Sequence, residues 1–519
     1  MRFSLCVPPL MLGVMMAASG VAHGESSGRS DDVSPVFRLE TRLGARPHGD
    51  RPETVPKAGT SVIRRSPELI RSRDENIDDR SGALRVAEST GMDGSRDRFP
   101  ASVTLSSAVT RAVGYFPQVR SEIANRRAIG ETVNQARAQY FPSVDATLGQ
   151  GPERSNNIST RATGGETTLQ RTETELTVSQ LLFDTGATST LLKRQEARAD
   201  GANKQVANTA ETVGFRAAQA YLEVQRLRAL VAVAGQNVAA HDRTLSQVTM
   251  LVEAGAGRSS DARQTAARLA LARSSVIQLQ GQLDQGEAAY RHLVGQLPGA
   301  LDRVTIPVEQ LPGAYRQASE DAVASHPAVR AAELDLEAAN ADRENARSRL
   351  GPRITLELGM TQNRDLDGVR GLSADRTAVV RLRQNLYRGG SDDARIRETE
   401  ARRDEAQAFL DRAKNDVERD VRQAWDNLAA DRDRLPQLRL HAQASAEVLE
   451  AYKLQFQLGQ RSLLDVLNAE NELFTSRSNE LSGEYSLLTS AFKMLSSMGK
   501  LLPALGVTIP GDAVAEGAK

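Results

Sequence analysis

Cysteine is all but missing from this chain of 519 residues: Cys6 is the only one. It lies in a stretch that reads as a Sec-type leader over residues 1–24. Arg2 is followed by an apolar run from Leu10 to Ala18 and small residues at Gly20-Val21-Ala22, with cleavage expected after Ala22 or Gly24. That run is too short to span a membrane as a helix. The mature chain then has no disulfide, no thiolate metal site and no thiol nucleophile. Cys6 also precedes most of the apolar run, the wrong side for a lipid acceptor. Aromatics make up only 4% of residues, too few for a series of ordinary globular cores. Net charge is absent too: 66 Lys and Arg balance 66 Asp and Glu, which argues against nucleic-acid binding by bulk electrostatics. Catalytic signatures are lacking as well. There is no HExxH or P-loop, and the six histidines are scattered. His326 precedes Pro327 and reads as a helix start rather than a ligand. No enzyme, cofactor or metal site is expected.

What the chain has in quantity is Ala, Arg, Glu, Gln and Leu, the palette of long helices and coiled coils. Residues 25–100 are the exception. They mix Arg, Asp, Ser, Pro and Gly, and their scattered apolar residues cannot bury a core, so they read as a disordered or loosely attached extension. From residue 101 the chain repeats itself. Phe116-Pro117-x-Val119-Arg120 returns 210 positions later as His326-Pro327-x-Val329-Arg330. Gly255-Ala256-Gly257-Arg258-Ser259-Ser260-Asp261 returns 204 positions later around Gly459, Ser462 and Asp465. Two copies follow, 101–297 and 316–500, with a linker at 298–315 and a tail at 501–519.

Each copy opens with a helical pattern, Val103 to about Tyr140 and Glu320 to Leu350, and then changes to a period of two. In Arg353–Thr361 the even positions are Ile354, Leu356, Leu358 and Met360, and the odd ones include Arg353, Thr355 and Glu357. Val144, Ala146 and Leu148 repeat the pattern in the first copy, and second strands follow at Thr167–Leu182 and Thr377–Leu386. Four strands in two hairpins, 143–184 and 353–387, thus present one apolar and one charged face. A soluble sandwich could use such strands, but four of them scattered between long helices make a poor one. In a transmembrane barrel the even face meets lipid and the odd face lines water. Phe141, Phe183 and Tyr387 fall at the hairpin ends, where an aromatic girdle would sit at one membrane interface. Packing at the strand–helix junction accounts for those rings equally well.

Each hairpin leads into a helix of about 67 residues, Ala187–Glu253 and Asp392–Leu458, on the order of 100 Å long. Gly235 and Pro436 are expected to bend them. The helices end at tip turns, 255–261 and 459–465. Gly459 suits the left-handed position there, Gly255 and Gly257 stand in the weaker first copy of the turn, and Ser462-x-x-Asp465 forms a capping box for the return helix. Four strands cannot close a barrel alone, and two chains would give eight strands with an interior filled by side chains. Three chains give twelve, the smallest multiple with a passage.

The tip motif Phe456-x-x-Gly459-x-x-Ser462-Leu-Leu-Asp465-Val-Leu, the strand exits Gln180–Gly186 and Gln384–Gly390, and the duplicated helix–hairpin–helix order together resemble the TolC family of outer-membrane efflux and secretion channels. The resemblance covers about residues 101–500. It implies an α+β membrane protein: a homotrimer whose twelve-stranded β-barrel, four strands per chain, continues into a long α-helical periplasmic barrel. It also implies gate residues at the periplasmic entrance. Asp465 matches an acidic ring position, Asn468 stands where a second acid would be, and Asp261 with Arg461 matches an inter-helix gating pair. Asp465 also caps a helix, which by itself accounts for an Asp there, and a solvated surface charge accounts equally for Arg461. The strand-exit wording and the missing lipid acceptor are more similar to the type I secretion branch than to lipidated drug-efflux channels.

The expected function is a passive outer-membrane exit duct of a tripartite system. Its partners would be a periplasmic adaptor (membrane fusion protein), an inner-membrane ABC or other transporter, the exported substrate and outer-membrane lipid, with no nucleic acid. A multidrug efflux channel of the same fold is the alternative within the family. A periplasmic coiled-coil adaptor or scaffold without a barrel is the alternative from another class, and a cell-surface stalk a weaker one.

Overall fold

The computed structural model describes residues 102–511. The leader, the 25–100 extension and the end of the tail lie outside the described residues. Helix α1 (Leu105–Tyr115) starts at the Thr104 cap and ends at Phe116, whose φ and ψ of −65° and 128° are extended. Helix α2 (Pro117–Ala138) then begins with proline in its first turn. The segment read above as one helix is therefore two, because a residue before proline is driven out of the helical region. The second copy repeats the break: α6 (Tyr315–Ser325) and α7 (Pro327–Ser348) are separated by extended His326. The His326 ring does start the helix, its Nδ1 accepting from the Ala328 N–H at 3.2 Å. Burial holds its pKa below the usual histidine value, in keeping with that acceptor role.

The strands β1 (Ser143–Ser155), β2 (Thr167–Phe183), β3 (Arg353–Arg364) and β4 (Leu372–Arg383) form one antiparallel sheet in chain order. A single sheet replaces the two that a sandwich needs, and β1 and β4 are its open edges. Strand β1 runs through Pro152, which an edge strand tolerates because a missing N–H can face outward. A five-residue helix, α3 (Ile158–Ala162), closes the first hairpin behind the Asn157 capping box. Strand β4 starts and ends earlier than the alternation suggested. Its last pair is Arg353↔Arg383, and Pro352 has no N–H to extend the ladder. Tyr387 therefore lies beyond the strand, 82% exposed, while Phe183 ends β2 and Phe141 precedes β1. All three rings remain at one end of the sheet.

At the first strand exit, Asp184 Oδ2 accepts from the Thr188 N–H at 2.7 Å and Oδ1 from the Gly186 N–H at 3.2 Å. There α4 (Ala187–Glu253) begins. Its counterpart α8 (Ser391–Gln457) follows Gly389 and Gly390, and each helix has 67 residues. Helical structure continues through Gly235 and Pro436 without a break. The return helices are α5 (Ser259–Val294) and α9 (Leu463–Ser497). Helix α4 packs against α2, α5, α7 and α9, so it joins both copies. Arg194 and Asp342 pair at 2.5 Å between α4 and α7 near the sheet.

Two apolar clusters hold the middle of the molecule. One gathers α1, α4, the end of α5, the linker and the short helix α10 (Leu501–Ala504) around buried Tyr221 and Tyr290. The Tyr221 hydroxyl lies 2.7 Å from the Val103 carbonyl and 2.8 Å from that of Asp302, tying the linker to α1. The other gathers α6, α7, α8 and α9, with Trp425 set edge-on against Tyr315 at 6.5 Å. No described helix is long and apolar enough to cross a membrane.

Candidate functional site: the paired helical tips

The two tip turns are built alike. In the first, the Gly255 N–H donates to Val252 and the Ala256 N–H to Leu251; in the second, Gly459 donates to Phe456 and Gln460 to Gln455. Gly255 and Gly459 have φ of 73° and 71°, the left-handed turn that ends a helix. Gly257 is needed for closeness instead, since a Cβ there would meet Val252 at 3.0 Å. Only the second restart is capped by a side chain. The Ser462 hydroxyl accepts from the Asp465 N–H at 3.3 Å and donates to Asp465 Oδ2 at 2.9 Å. The first turn uses Arg258, which makes no side-chain cap.

Around this frame the expected gate residues separate into two groups. Asp465 and Asn468 line one recess of about 460 Å³ with Tyr452, His441 and Glu472. Arg461 joins them: its guanidinium lies 3.9 Å from the centre of the Tyr452 ring, and its Nε is 3.6 Å from Asp465 Oδ2. Asp261 lines a different cleft, about 830 Å³, with Gly257, Phe456, Gly459 and Glu470. The Asp261–Arg461 pair is thus not formed within the protomer. Arg461 is held on its own hairpin by Tyr452 and Asp465, and the Asp261 carboxylate accepts from its neighbour Ser260 at 3.3 Å.

Apart from Asn468, the ties that join the hairpins use residues not singled out by motif. On the exposed side, Arg268 of α5 donates to the Asn468 side-chain oxygen of α9 at 3.1 Å. Inside, Glu470 of α9 and His241 of α4 are 3% and 2% exposed, with Nδ1 3.0 Å from Oε2. That contact is close without being aligned as a hydrogen bond. The Thr244 hydroxyl lies 3.2 Å from Glu470 Oε1 and 3.1 Å from the Ala240 carbonyl, so one proton serves two acceptors. Beside this group Val248, Leu463 and Leu467 form an apolar cluster with Val252, Ala262 and Phe456. A signal for Glu470 does exist in the sequence. It follows Leu463, Val466 and Leu467 on the buried stripe of α9, a charge where the spacing calls for an apolar residue.

The sequence profile of the outer membrane efflux protein family matches residues 110–296 and 318–500, the two repeats in turn. The chain belongs to the outer membrane efflux protein family. BepC of Brucella suis, an outer membrane efflux protein, is 25% identical over 396 residues, covering 75% of this chain and 84% of BepC. PrtF of Dickeya chrysanthemi, a proteases secretion protein, is 23% identical over 382 residues, 72% of this chain and 82% of its own. The fold matches the CmeC outer membrane channel of Campylobacter jejuni with a TM-score of 0.69 at 14% identity, over 87% of this chain and 97% of CmeC. Family membership places the chain in the outer membrane, with the helices on the periplasmic side. It also assigns the sheet to a barrel of TolC type. The tip is then the end farthest from the membrane.

Proposed function

We propose that three copies of this chain form the outer-membrane exit duct of a three-component export system and conduct a protein substrate passively. A periplasmic adaptor and an inner-membrane ABC transporter would engage the tip and supply the energy. The observation that carries this reading is the joining of two features in one chain. A sheet with two open edges continues into helical hairpins about 100 Å long, and their far ends are joined by one buried and one exposed polar tie. A passive conduit needs a closable end, and the tip has an apolar cluster with one hydrated and one buried tie beside it. Protein cargo is favoured by the strand-exit residues Gln384–Gly390 and by the position of Cys6. The resemblance to a protease secretion protein supports it as well.

The Glu470–His241–Thr244 group and the Arg268–Asn468 bond act as the closing ties, with Asp465 contributing an acidic ring at the entrance. Purified protein inserted into planar bilayers should conduct. In the source cell, deleting the gene should empty the medium of one secreted protein while drug susceptibility stays unchanged. Raised susceptibility with intact secretion would move the reading to small-molecule efflux. Release from membranes by carbonate washing would end the duct reading altogether.

A further inference from the structure

The sheet edges show how one copy meets the next. We propose that β4 of one protomer, with the two residues that follow it, pairs with β1 of its neighbour in a single register, with Asn385 opposite Asp145, Leu382 opposite Leu148, and Arg383 reaching Asp145 diagonally. The proposal rests on the trimer read above and adds to it the register and charge pairing of the seam.

The internal repeat supplies the register. In the first hairpin Ser143 pairs with Ser179 and Arg154 with Thr168; in the second Arg353 pairs with Arg383 and Arg364 with Leu372. The two sets are the same pairs, moved by 210 positions on the first strand and 204 on the second, at both ends of the hairpin. The offsets that relate the helical motifs therefore hold in the sheet without slippage. Inside the chain, one repeat meets the other where β2 pairs with β3. A closed ring has one other kind of junction, β4 against β1 of the next copy. Carrying the β2–β3 pairs forward by the same offsets sends Ser179↔Glu357 to Arg383↔Thr147. It sends Leu181↔Thr355 to Asn385↔Asp145, and Val178↔Leu358 to Leu382↔Leu148. A slip by one residue would turn every side chain of a strand to the wrong face.

Charge argues for the same match. Arg353 and Arg383 lie directly opposite each other on the water-facing row, a like-charge pair that destabilises a sheet. Arg349 and Arg388 line the recess beside them, against one acid, Asp184, which the Gly186 and Thr188 N–H groups already engage. Among the described residues no ion pair or hydrogen bond engages the Arg383 guanidinium. Asp145 has the converse problem. It sits opposite Thr177 with Glu175 on the diagonal, and among the described residues no cation pairs with it in its own protomer. Diagonal cross-strand neighbours lie roughly 7–8 Å apart, within reach of an arginine. The seam therefore brings an unpartnered cation to an unpartnered anion. On the lipid-facing row, Leu148 and Leu382, 79% and 63% exposed in the protomer, come side by side.

Cysteine pairs test the register, because the mature chain has no other cysteine. Full-length protein carrying Leu148→Cys with Leu382→Cys, or Asp145→Cys with Asn385→Cys, is oxidised in native outer membranes. Two pairs are used because adjacent positions in an antiparallel ladder alternate in hydrogen bonding and spacing. Covalent dimers and trimers on a denaturing gel are expected from at least one, and none from pairs shifted by two, Leu148→Cys with Val380→Cys or Gln384→Cys. Cross-linking only by a shifted pair overturns the register. A detergent-extracted trimer that no matched pair locks overturns it too, while the trimer reading stands. A monomer for every variant and for wild type removes both. For the ion pair, Asp145→Asn and Arg383→Gln should each lower the trimer's dissociation temperature in detergent. The double variant should fall by less than the two together; full additivity would show that the charges do not meet.

Discussion

At the scale of single residues, the tip depends on a polar group held where the packing calls for carbon. Glu470 and His241 are desolvated together, and their attraction offsets that cost only while both are present. Truncating one member leaves the other buried and without that partner, at a cost of about 1–3 kcal/mol for a buried polar group. Replacing both by apolar residues is often neutral. Glu470→Ala should therefore lower thermal stability and give a leakier channel in bilayers, whereas His241→Leu with Glu470→Leu should recover the stability. If the single variant conducts and melts like wild type, the pair does not close the tip. This group was partly legible in the sequence. A glutamate on the stripe of Leu463, Val466 and Leu467 is visible by spacing alone, but its partners on α4 lie some 230 residues away in the chain. Arg461 shows the reverse. Its identity was readable from the motif, but its partner was not, because Tyr452 offers a ring one turn before the tip that captures the guanidinium.

At the scale of elements, the ends of helices and strands carry the argument. Gly459→Val should cost about 1–2 kcal/mol, the penalty for a side chain in the left-handed region, and more if the branched side chain disturbs the apolar cluster at the tip. Urea denaturation can measure this, with Gly235→Ala as a mid-helix control that should be neutral or slightly stabilising. The long helices, the tip turns and the hairpins were readable because their periods and caps are local. The helix breaks at Phe116 and His326 were carried by the following prolines and were missed by periodicity, which continues across them. The end of β4 was not readable from its own residues, since Pro352 on the partner strand sets it. A contact at the tail adds a dependence on pH. The Leu502 N–H donates to Glu211 Oε1 at 3.2 Å, and Glu211 is buried on α4. Burial raises its pKa to about 7, against the lowering effect of the Leu502 and Leu501 N–H groups. The unfolded carboxyl titrates near 4.5, so between about pH 4.5 and 7 the folded state binds the extra proton. Stability from this group is then full below that window and is lost as pH rises through it, by roughly 3 kcal/mol at most. Glu211→Gln should flatten that part of the pH–stability curve. An unchanged slope would assign it to another group.

At the scale of the whole molecule, the proposed entrance is an electrostatic object that no single protomer contains. Three Asp465 carboxylates around one axis, each ~10 Å from a passing ion, would contribute ~0.4 kcal/mol apiece in water before screening. At 0.1 M salt the screening length is about 10 Å, which leaves roughly a twofold enrichment of cations and a matching depletion of anions. Each carboxylate, however, has Arg461 3.6 Å away on its own chain, and Asn468 adds no second negative charge. In the proposed ring each Asp465 charge is then offset by one Arg461, and selectivity would follow the balance between the two. Asp465→Asn should lower the cation-to-anion permeability ratio, and Arg461→Gln should raise it above wild type. Both shifts should shrink as salt is increased. Reversal potentials across a salt gradient in planar bilayers read them directly. If Asp465→Asn and Arg461→Gln both leave the ratio unmoved while helix α9 still forms, Asp465 serves only as the cap that Ser462 completes. The narrowest charged ring of the duct would then have to lie elsewhere.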